Sequence, residues 1–223
     1  MGGIPLEQLV ATLIVLFLGI GFHEYSHAKF ADMAGDPTPR YFGRVTLNLT
    51  KHFELMGTIM MVVTTLSGFG IGWGKPCPMD PRKMRDPRWD HFVAVLAGPV
   101  SNLIQAAIYG TIMRILLQNR MSMGSLATLP PFLANLLQFG VTVNLSLCFF
   151  NLIPLGPLDG HWLIGSFLPP KARSQWYLFN RGAGTMILFG LIFLGQMSRV
   201  PLLGMILGPP VDAGFKLITG IHY

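Results

Sequence analysis

His23, Glu24 and His27 form the pattern H-E-x-x-H at the end of an apolar run, Leu9 to Phe22. On a helix, positions i and i+4 share one face, so the two imidazoles can be offered to one metal ion. Glu24 lies beside them and can take a proton from a metal-bound water. The chemistry this suggests is hydrolysis, set where a membrane span should be. A catalytic zinc takes three protein ligands and leaves a place for water. The third ligand must come from Asp32, His52, Asp159 or His161. Asp32 lies nine residues after His23, roughly 180° away from the metal face at 3.6 residues per turn. Asp159 sits in Asn151-Leu-Ile-Pro-Leu-Gly-Pro-Leu-Asp159-Gly160. A carboxylate among such neighbours at membrane depth is costly unless it is paired or bound to a metal; its plainer reading is a turn aspartate before glycine.

The elements that must position these residues follow from the apolar runs. A helix opening at Pro5 should run through His27 to about Met33, which puts His23 roughly 27 Å along it, close to a full hydrocarbon thickness. A polar stretch from Asp32 to Glu54 follows, in which Arg44–Leu49 alternates like a short strand. The next apolar run, Leu55 to Trp73, ends in a glycine-rich tract, Gly68 to Gly74, which favours re-entrant or irregular backbone. Lys75 to Asp90 is charged and proline-rich. Phe92–Leu117 and Leu133–Ile153 read as the second and third spans. The third carries Asn135, Gln138, Thr142, Asn144 and Asn151 and should face protein. Leu155–Gly182 reads as a loop and Ala183–Met197 as a shorter fourth span. Val200–Tyr223, broken by Pro201, Pro209 and Pro210, has no clear place.

Composition bounds the class. Of 223 residues, 51% are hydrophobic and only 12% charged, with a mean hydropathy of +0.51, against about 25% charged in soluble domains. This is an all-α polytopic membrane protein: about four transmembrane helices, a re-entrant or interfacial segment and short β elements near the active site. It reads as a single membrane-embedded domain over 1–223, with the catalytic core at about 5–168 and C-terminal helical segments at 183–223. The net charge of +6 lies in segments between apolar runs, as the positive-inside rule requires. No aromatic-basic motif accompanies it, so nucleic acid is not an expected partner. Cys77 and Cys148 have no partners at metal-site spacing, and no disulfide framework is expected. The N-terminus lacks a basic region and a cleavage site, so the first span should be retained. His52 reads as an interfacial loop residue, His91 as an anchor of the second span, His161 as a neighbour of Asp159 and His222 as a tail residue.

His23-Glu24-x-x-His27 and the Asn151 to Gly160 segment resemble the two signatures of the site-2 proteases, the intramembrane zinc metalloproteases. Ala97-Gly98-Pro99-Val100-Ser101-Asn102 resembles the G-x-x-x-N element between them. Gly43-Arg44-Val45-Thr46-Leu47-Asn48 and Gly72-Trp73-Gly74-Lys75-Pro76 are similar to segments of small bacterial members without PDZ or CBS domains, although Leu49 stands where such members carry proline. The resemblance covers roughly residues 10 to 195. It implies one zinc held by His23, His27 and Asp159, Glu24 as general base and acid, and Asn151 as a group that holds substrate or oxyanion. Asn102 reads as an interhelical hydrogen-bond residue or as a group beside the substrate.

The expected activity is hydrolysis of peptide bonds in or near transmembrane segments of other membrane proteins. Arg44–Leu49 and Gly68–Pro76 are the candidate strands against which an unwound substrate would lie. The alternative is a non-proteolytic membrane metal-binding protein or transporter, which would need ionisable groups along several spans. The partners are transmembrane substrates and the lipid bilayer; an oligomer is compatible with the sequence and not derivable from it. If Asp159 meets the histidines, the end of the first span, the start of the second and the end of the third share one membrane face. Leu55–Gly74 then crosses an even number of times. Of the sixteen basic residues, all but Arg114, Arg120, Arg199 and Lys216 fall on that side, which predicts an active site open toward the cytoplasm from the cell membrane.

Overall fold

The first apolar run becomes α1, Leu6–Met33, in the computed structural model, which describes residues 4–67, 72–119, 129–198 and 200–221. The helix opens after Pro5 and stops at Gly35, whose φ of +104° is open to glycine at little cost. There the Gly35 and Asp36 N–H groups close back on the Asp32 and Ala31 carbonyls.

A short helix α2, Thr38–Tyr41, and a 3₁₀ turn at Leu49–His52 lead to α3, Leu55–Ser67. Arg44–Leu49 is not a strand, and no strand occurs among the described residues. Its backbone is instead taken up in local turns: Arg44 N–H bonds Pro39, and Asn48 caps the 3₁₀ turn by accepting from Thr50 N–H. With 13 residues, α3 is about 20 Å long at 1.5 Å per residue, short of the ~30 Å hydrocarbon layer. Its chain also comes back to where it began. Trp73 Nε1 donates to Glu54 at 2.5 Å, and Lys75 N–H to the His52 carbonyl at 2.8 Å. A Cβ on Gly57 would lie 2.3 Å from the Trp73 carbonyl oxygen, and one on Gly72 2.5 Å from Met61. The two ends of Leu55–Gly74 are therefore neighbours. The glycines at 68 and 70 lie outside the described residues.

Helix α4, Trp89–Asn119, and α5, Pro131–Asn151, pack on α1 as the inner bundle. After α5 the chain forms α6, Asp159–Phe167, and α7, Pro170–Phe179, which continues through a π-helical turn at Asn180–Gly184 into α8, Thr185–Ser198. The expected loop over 155–182 is thus largely helical, and the fourth apolar helix starts at Pro170 rather than Ala183. Pro170 in its first turn supplies a preset φ and lacks only a donor the helix would not use. The C-terminal stretch forms α9, Leu202–Thr219. Among the described residues five helices are long and apolar enough to cross a membrane, one more than expected; this is the pattern of a multi-pass membrane protein. Ile218 of α9 packs on Gly110 and Arg114 lies beside Gly220, while Gly214 packs on Leu145. Hence α9 runs parallel to α4 and antiparallel to α5, and the core beneath it is Met113, Val141, Leu145 and Phe215.

Candidate metal centre

The buried face of α1 holds His23 and His27, whose Nε2 atoms stand 3.0 Å apart. Asp159, first residue of α6, brings Oδ2 to 3.2 Å from His23 Nε2 and 3.4 Å from His27 Nε2. Of the four candidates for a third ligand, Asp159 alone joins the pair. Asp32 is bound to Arg40 by two bonds of 2.7 and 2.9 Å. His161 faces Trp162 and Tyr177, and its Nδ1 lies 2.5 Å from the Leu158 carbonyl. His52 is fully buried beneath Tyr25, with Nε2 3.0 Å from the Thr46 carbonyl, and is not the interfacial loop residue expected.

The protonation of the two imidazoles can be read from their outer nitrogens. His27 Nδ1 lies 2.9 Å from the Ala94 carbonyl, which only accepts, so Nδ1 carries the proton. His23 Nδ1 lies 2.7 Å from Asn102 Oδ1. The orientation of that amide is fixed in turn. Asn102 Nδ2 donates to the Gly19 carbonyl and to Asn144 Oδ1, both at 3.0 Å, and Asn144 Nδ2 donates to the Gly140 carbonyl at 2.9 Å. His23 Nδ1 must therefore donate as well. Both Nε2 atoms are left as lone-pair acceptors beside a carboxylate oxygen that is buried without a donor. A single proton can bridge two such atoms, whereas a metal cation can satisfy all three. Ligand atoms about 2.0–2.1 Å from a tetrahedral zinc stand roughly 3.3–3.4 Å apart, close to the separations found here, and two imidazoles with one carboxylate are a zinc donor set. The residues present fit the group.

Two glycines make this convergence sterically feasible. A Cβ on Gly98 would lie 2.4 Å from the His27 ring and 2.8 Å from the His23 ring, so the α4 backbone itself forms one wall. Pro99 next to it has no N–H, so this part of α4 lacks one bond of its ladder. A Cβ on Gly160 would lie 2.3 Å from the Leu152 carbonyl oxygen, so only glycine lets α6 start against the end of α5 and hold Asp159 in reach.

Glu24 points to the side covered by the irregular segment Gly72–Asp80. Its Oε2 accepts the Cys77 N–H at 2.8 Å, and a Cβ on Gly74 would lie 3.5 Å from Glu24 Cγ. Burial and the Glu24 carboxylate push the Cys77 thiol up to about 12, so the thiol stays protonated at neutral pH and the segment meets Glu24 through its backbone. Two residues that the sequence singled out for no chemistry hold this cover. Arg44 is buried and donates to the Lys75 and Pro76 carbonyls. Asp36, fully buried, accepts from the Thr38 and Asp80 N–H groups at 2.9 and 2.7 Å. The signal for both was a charged residue beside glycine or proline in a loop, which solvated turns share. Lys75 and Cys77 spend their N–H groups on His52 and Glu24, and Pro76 and Pro78 have none. The stretch Lys75–Pro78 thus offers no free donor to an added strand; of the expected strand Gly68–Pro76, residues 68–71 lie outside the described residues. Asn151, at the end of α5, donates to the Leu147 carbonyl at 2.9 Å.

No family model matches the chain, and no solved structure does. A protein of Bacillus subtilis (strain 168) named "Putative zinc metalloprotease YwhC" is 34% identical over 221 residues, 97% of this chain and 94% of that protein. With near-complete coverage at this identity, and with the three motifs of that protease type drawn together around one point, the chain belongs to the site-2 protease family of zinc metalloproteases.

Proposed function

We propose that the chain is an intramembrane zinc endopeptidase that cuts other membrane proteins in or near their transmembrane segments. The observation that carries this is the meeting of three unprotonated ligand atoms, from His23, His27 and Asp159, beside a carboxylate, Glu24, that is not one of them. When bound, zinc polarises a substrate carbonyl and lowers the pKa of a water to about 7. Glu24 is the proton carrier: Cys77 N–H holds Oε2, leaving Oε1 to take a proton from the attacking water and pass it to the leaving amide nitrogen. Asn102 acts by orienting His23 rather than by touching substrate, since both of its N–H groups are spent and it is fully buried. Asn151 keeps its carbonyl oxygen and one N–H for the substrate.

A transmembrane helix must unwind before its carbonyl can be attacked, because its backbone groups are already paired. With Lys75–Pro78 short of donors, an unwound substrate is oriented here by its own N–H groups meeting carbonyls of the protein. The enzyme sits in the cell membrane with its metal end toward the cytoplasm, a reading supported by the basic residues clustered at that end.

The test uses the full chain purified in detergent and a membrane protein with a single transmembrane segment as substrate. Wild type should carry close to one zinc and cut the substrate; Glu24→Gln should carry the zinc and not cut. A His23→Ala, His27→Ala variant that keeps its zinc sinks the metal assignment. Zinc at full occupancy in wild type, with no substrate processed in vitro or accumulating uncut in the host, points instead to a metal-binding or transport role.

A further inference from the structure

A second polar site lies at the far end of α6 from Asp159. A cavity of about 100 Å³ opens between the start of α4, α6 and α7, walled by Arg88, His91, Trp162, Ser166, Arg173 and Tyr177. At ~30 Å³ per water, this is room for about three waters, or for one tetrahedral oxyanion.

Its donors are in excess. Arg88 Nε donates to the Ser166 carbonyl at 2.5 Å, and Arg173 Nε and Nη2 donate to the Leu168 carbonyl at 3.3 and 2.9 Å. A guanidinium has five N–H donors, so each arginine has several left. Among the described residues no carboxylate lies within ion-pair distance of either. Asp86 is turned to the Arg88 and Trp89 backbone N–H groups, and Asp90 pairs with Arg85 at 3.6 Å. His91, 6% exposed, has no hydrogen-bond partner among the described residues. Its ring packs edge to face on Trp162 at 5.4 Å. Two guanidinium groups with donors to spare, facing one cavity beside a neutral polar ring, call for an acceptor between them.

The surroundings indicate what carries that acceptor. Trp89 and Phe167, both exposed, pack edge to face at 5.6 Å, with Phe92 against Phe167 at 5.4 Å and the Arg88 guanidinium 4.9 Å over the Trp89 ring. The cluster stands at the first turn of a span-length helix. Aromatic side chains beside basic ones at a span end mark the level of lipid headgroups.

We propose that this cavity binds the phosphate group of an anionic phospholipid, with Arg88 and Arg173 as its charged donors and Trp89, Phe92 and Phe167 against the acyl chains. Free phosphate offers the same chemistry and is the other source to be distinguished. Ser166, whose carbonyl Arg88 holds, lies in the last turn of the helix that Asp159 begins, so an occupied cavity ties that helix to α4.

The test is native mass spectrometry of the full chain released from nanodiscs of phosphatidylcholine with and without phosphatidylglycerol, with inorganic phosphate as a competitor. Wild type should retain phosphatidylglycerol. The Arg88→Gln, Arg173→Gln variant should retain it about tenfold less, having lost charge-assisted bonds from two guanidinium groups. Lys171→Gln, which removes an exposed charge nearby, should match wild type. Zinc content reports that the double variant is folded. Retention of free phosphate by wild type and not by the double variant, without retention of phosphatidylglycerol, assigns the anion to solution and overturns the lipid headgroup. Equal retention by all three proteins, an equal fall in both variants, or no phosphate-bearing adduct at all overturns the site.

Discussion

The inner helices α1, α4 and α5 and the outer pair, Pro170–Ser198 and α9, are both long and apolar, yet they do different work. In the inner three, 33% to 39% of the most apolar stretch is buried, against 17% in the outer two. Mean hydropathy, 1.5 to 1.8 in the inner helices against 1.2 to 1.4 in the outer two, runs opposite to lipid exposure and does not account for the difference. The placement of polar side chains does: His23, His27, His91, Asn102 and Asn144 are buried on the inner helices, whereas the outer pair buries only Asn180 and Thr219 among the described residues. In a bilayer, lipid tails are as apolar as leucine, so association of helices depends on close packing and on hydrogen bonds between them. The inner three have both, through Gly19, Gly98 and Gly140 and through the asparagine relay. The outer helices present Phe189, Phe193 and Leu194 outward, as lipid-facing surfaces do.

The contrast predicts a graded series of effects. Asp159→Ala should abolish both zinc binding and cleavage, because it removes a ligand and leaves two imidazoles that alone make a poor site; atomic absorption on the purified variant reads this directly. Glu24→Gln should lower the cleavage rate by ~10²–10⁴-fold at unchanged zinc content. Gly98→Ala and Asn102→Ala should each weaken zinc by about 10–100-fold, the first by crowding the rings and the second by releasing the His23 tautomer; competition with a chelator measures it. Arg44→Lys should keep zinc and lower the cleavage rate by about tenfold, since an ammonium cannot span the two carbonyls a guanidinium reaches. At the other end of the scale, Phe189→Leu and Phe193→Leu should change zinc affinity and cleavage by less than about twofold. If those outer substitutions rival Asn102→Ala, the division into a working core and a lipid-facing pair is broken.

Much of the core was legible in the sequence because its signals are short and chemically specific. H-E-x-x-H gives two candidate ligands and a candidate base at helical spacing, and Leu-Asp-Gly after an asparagine-bearing span gives a carboxylate where one is costly. The start of α1 is readable because Pro5 punctuates it. What could not be read depends on long-range partners. His52 looks like a loop histidine until Tyr25 covers it. Arg44–Leu49 alternates like a strand, but among the described residues there is no second strand to pair with it, and local turns take its hydrogen bonds. The first turns of the fourth apolar helix are hidden in the sequence because Lys171, Arg173 and Arg181 look like loop residues. Arg173 is satisfied by the end of α6, a partner that local sequence does not reveal. α9 was obscured by Pro209 and Pro210, which break a helix in water but are tolerated where neighbouring helices support it.

The outer helix meets the metal end of the molecule at Trp176, whose Nε1 donates to the His161 carbonyl at 2.7 Å, and at Asn180. Asn180 Oδ1 accepts the Gly156 N–H at 2.7 Å, and a Cβ on Gly156 would lie 2.5 Å from the Asn180 carbonyl oxygen. Gly156 lies three residues before Asp159, and Asn180 opens the π-helical turn. The helix from Pro170 to Ser198 is continuous through that turn, so a displacement of its outer half is either absorbed in the wide turn at Asn180–Gly184 or passed on at the Gly156 and His161 contacts, which lie on either side of Asp159. The peripheral helix is in this way a lever whose short arm rests on the segment that carries Asp159.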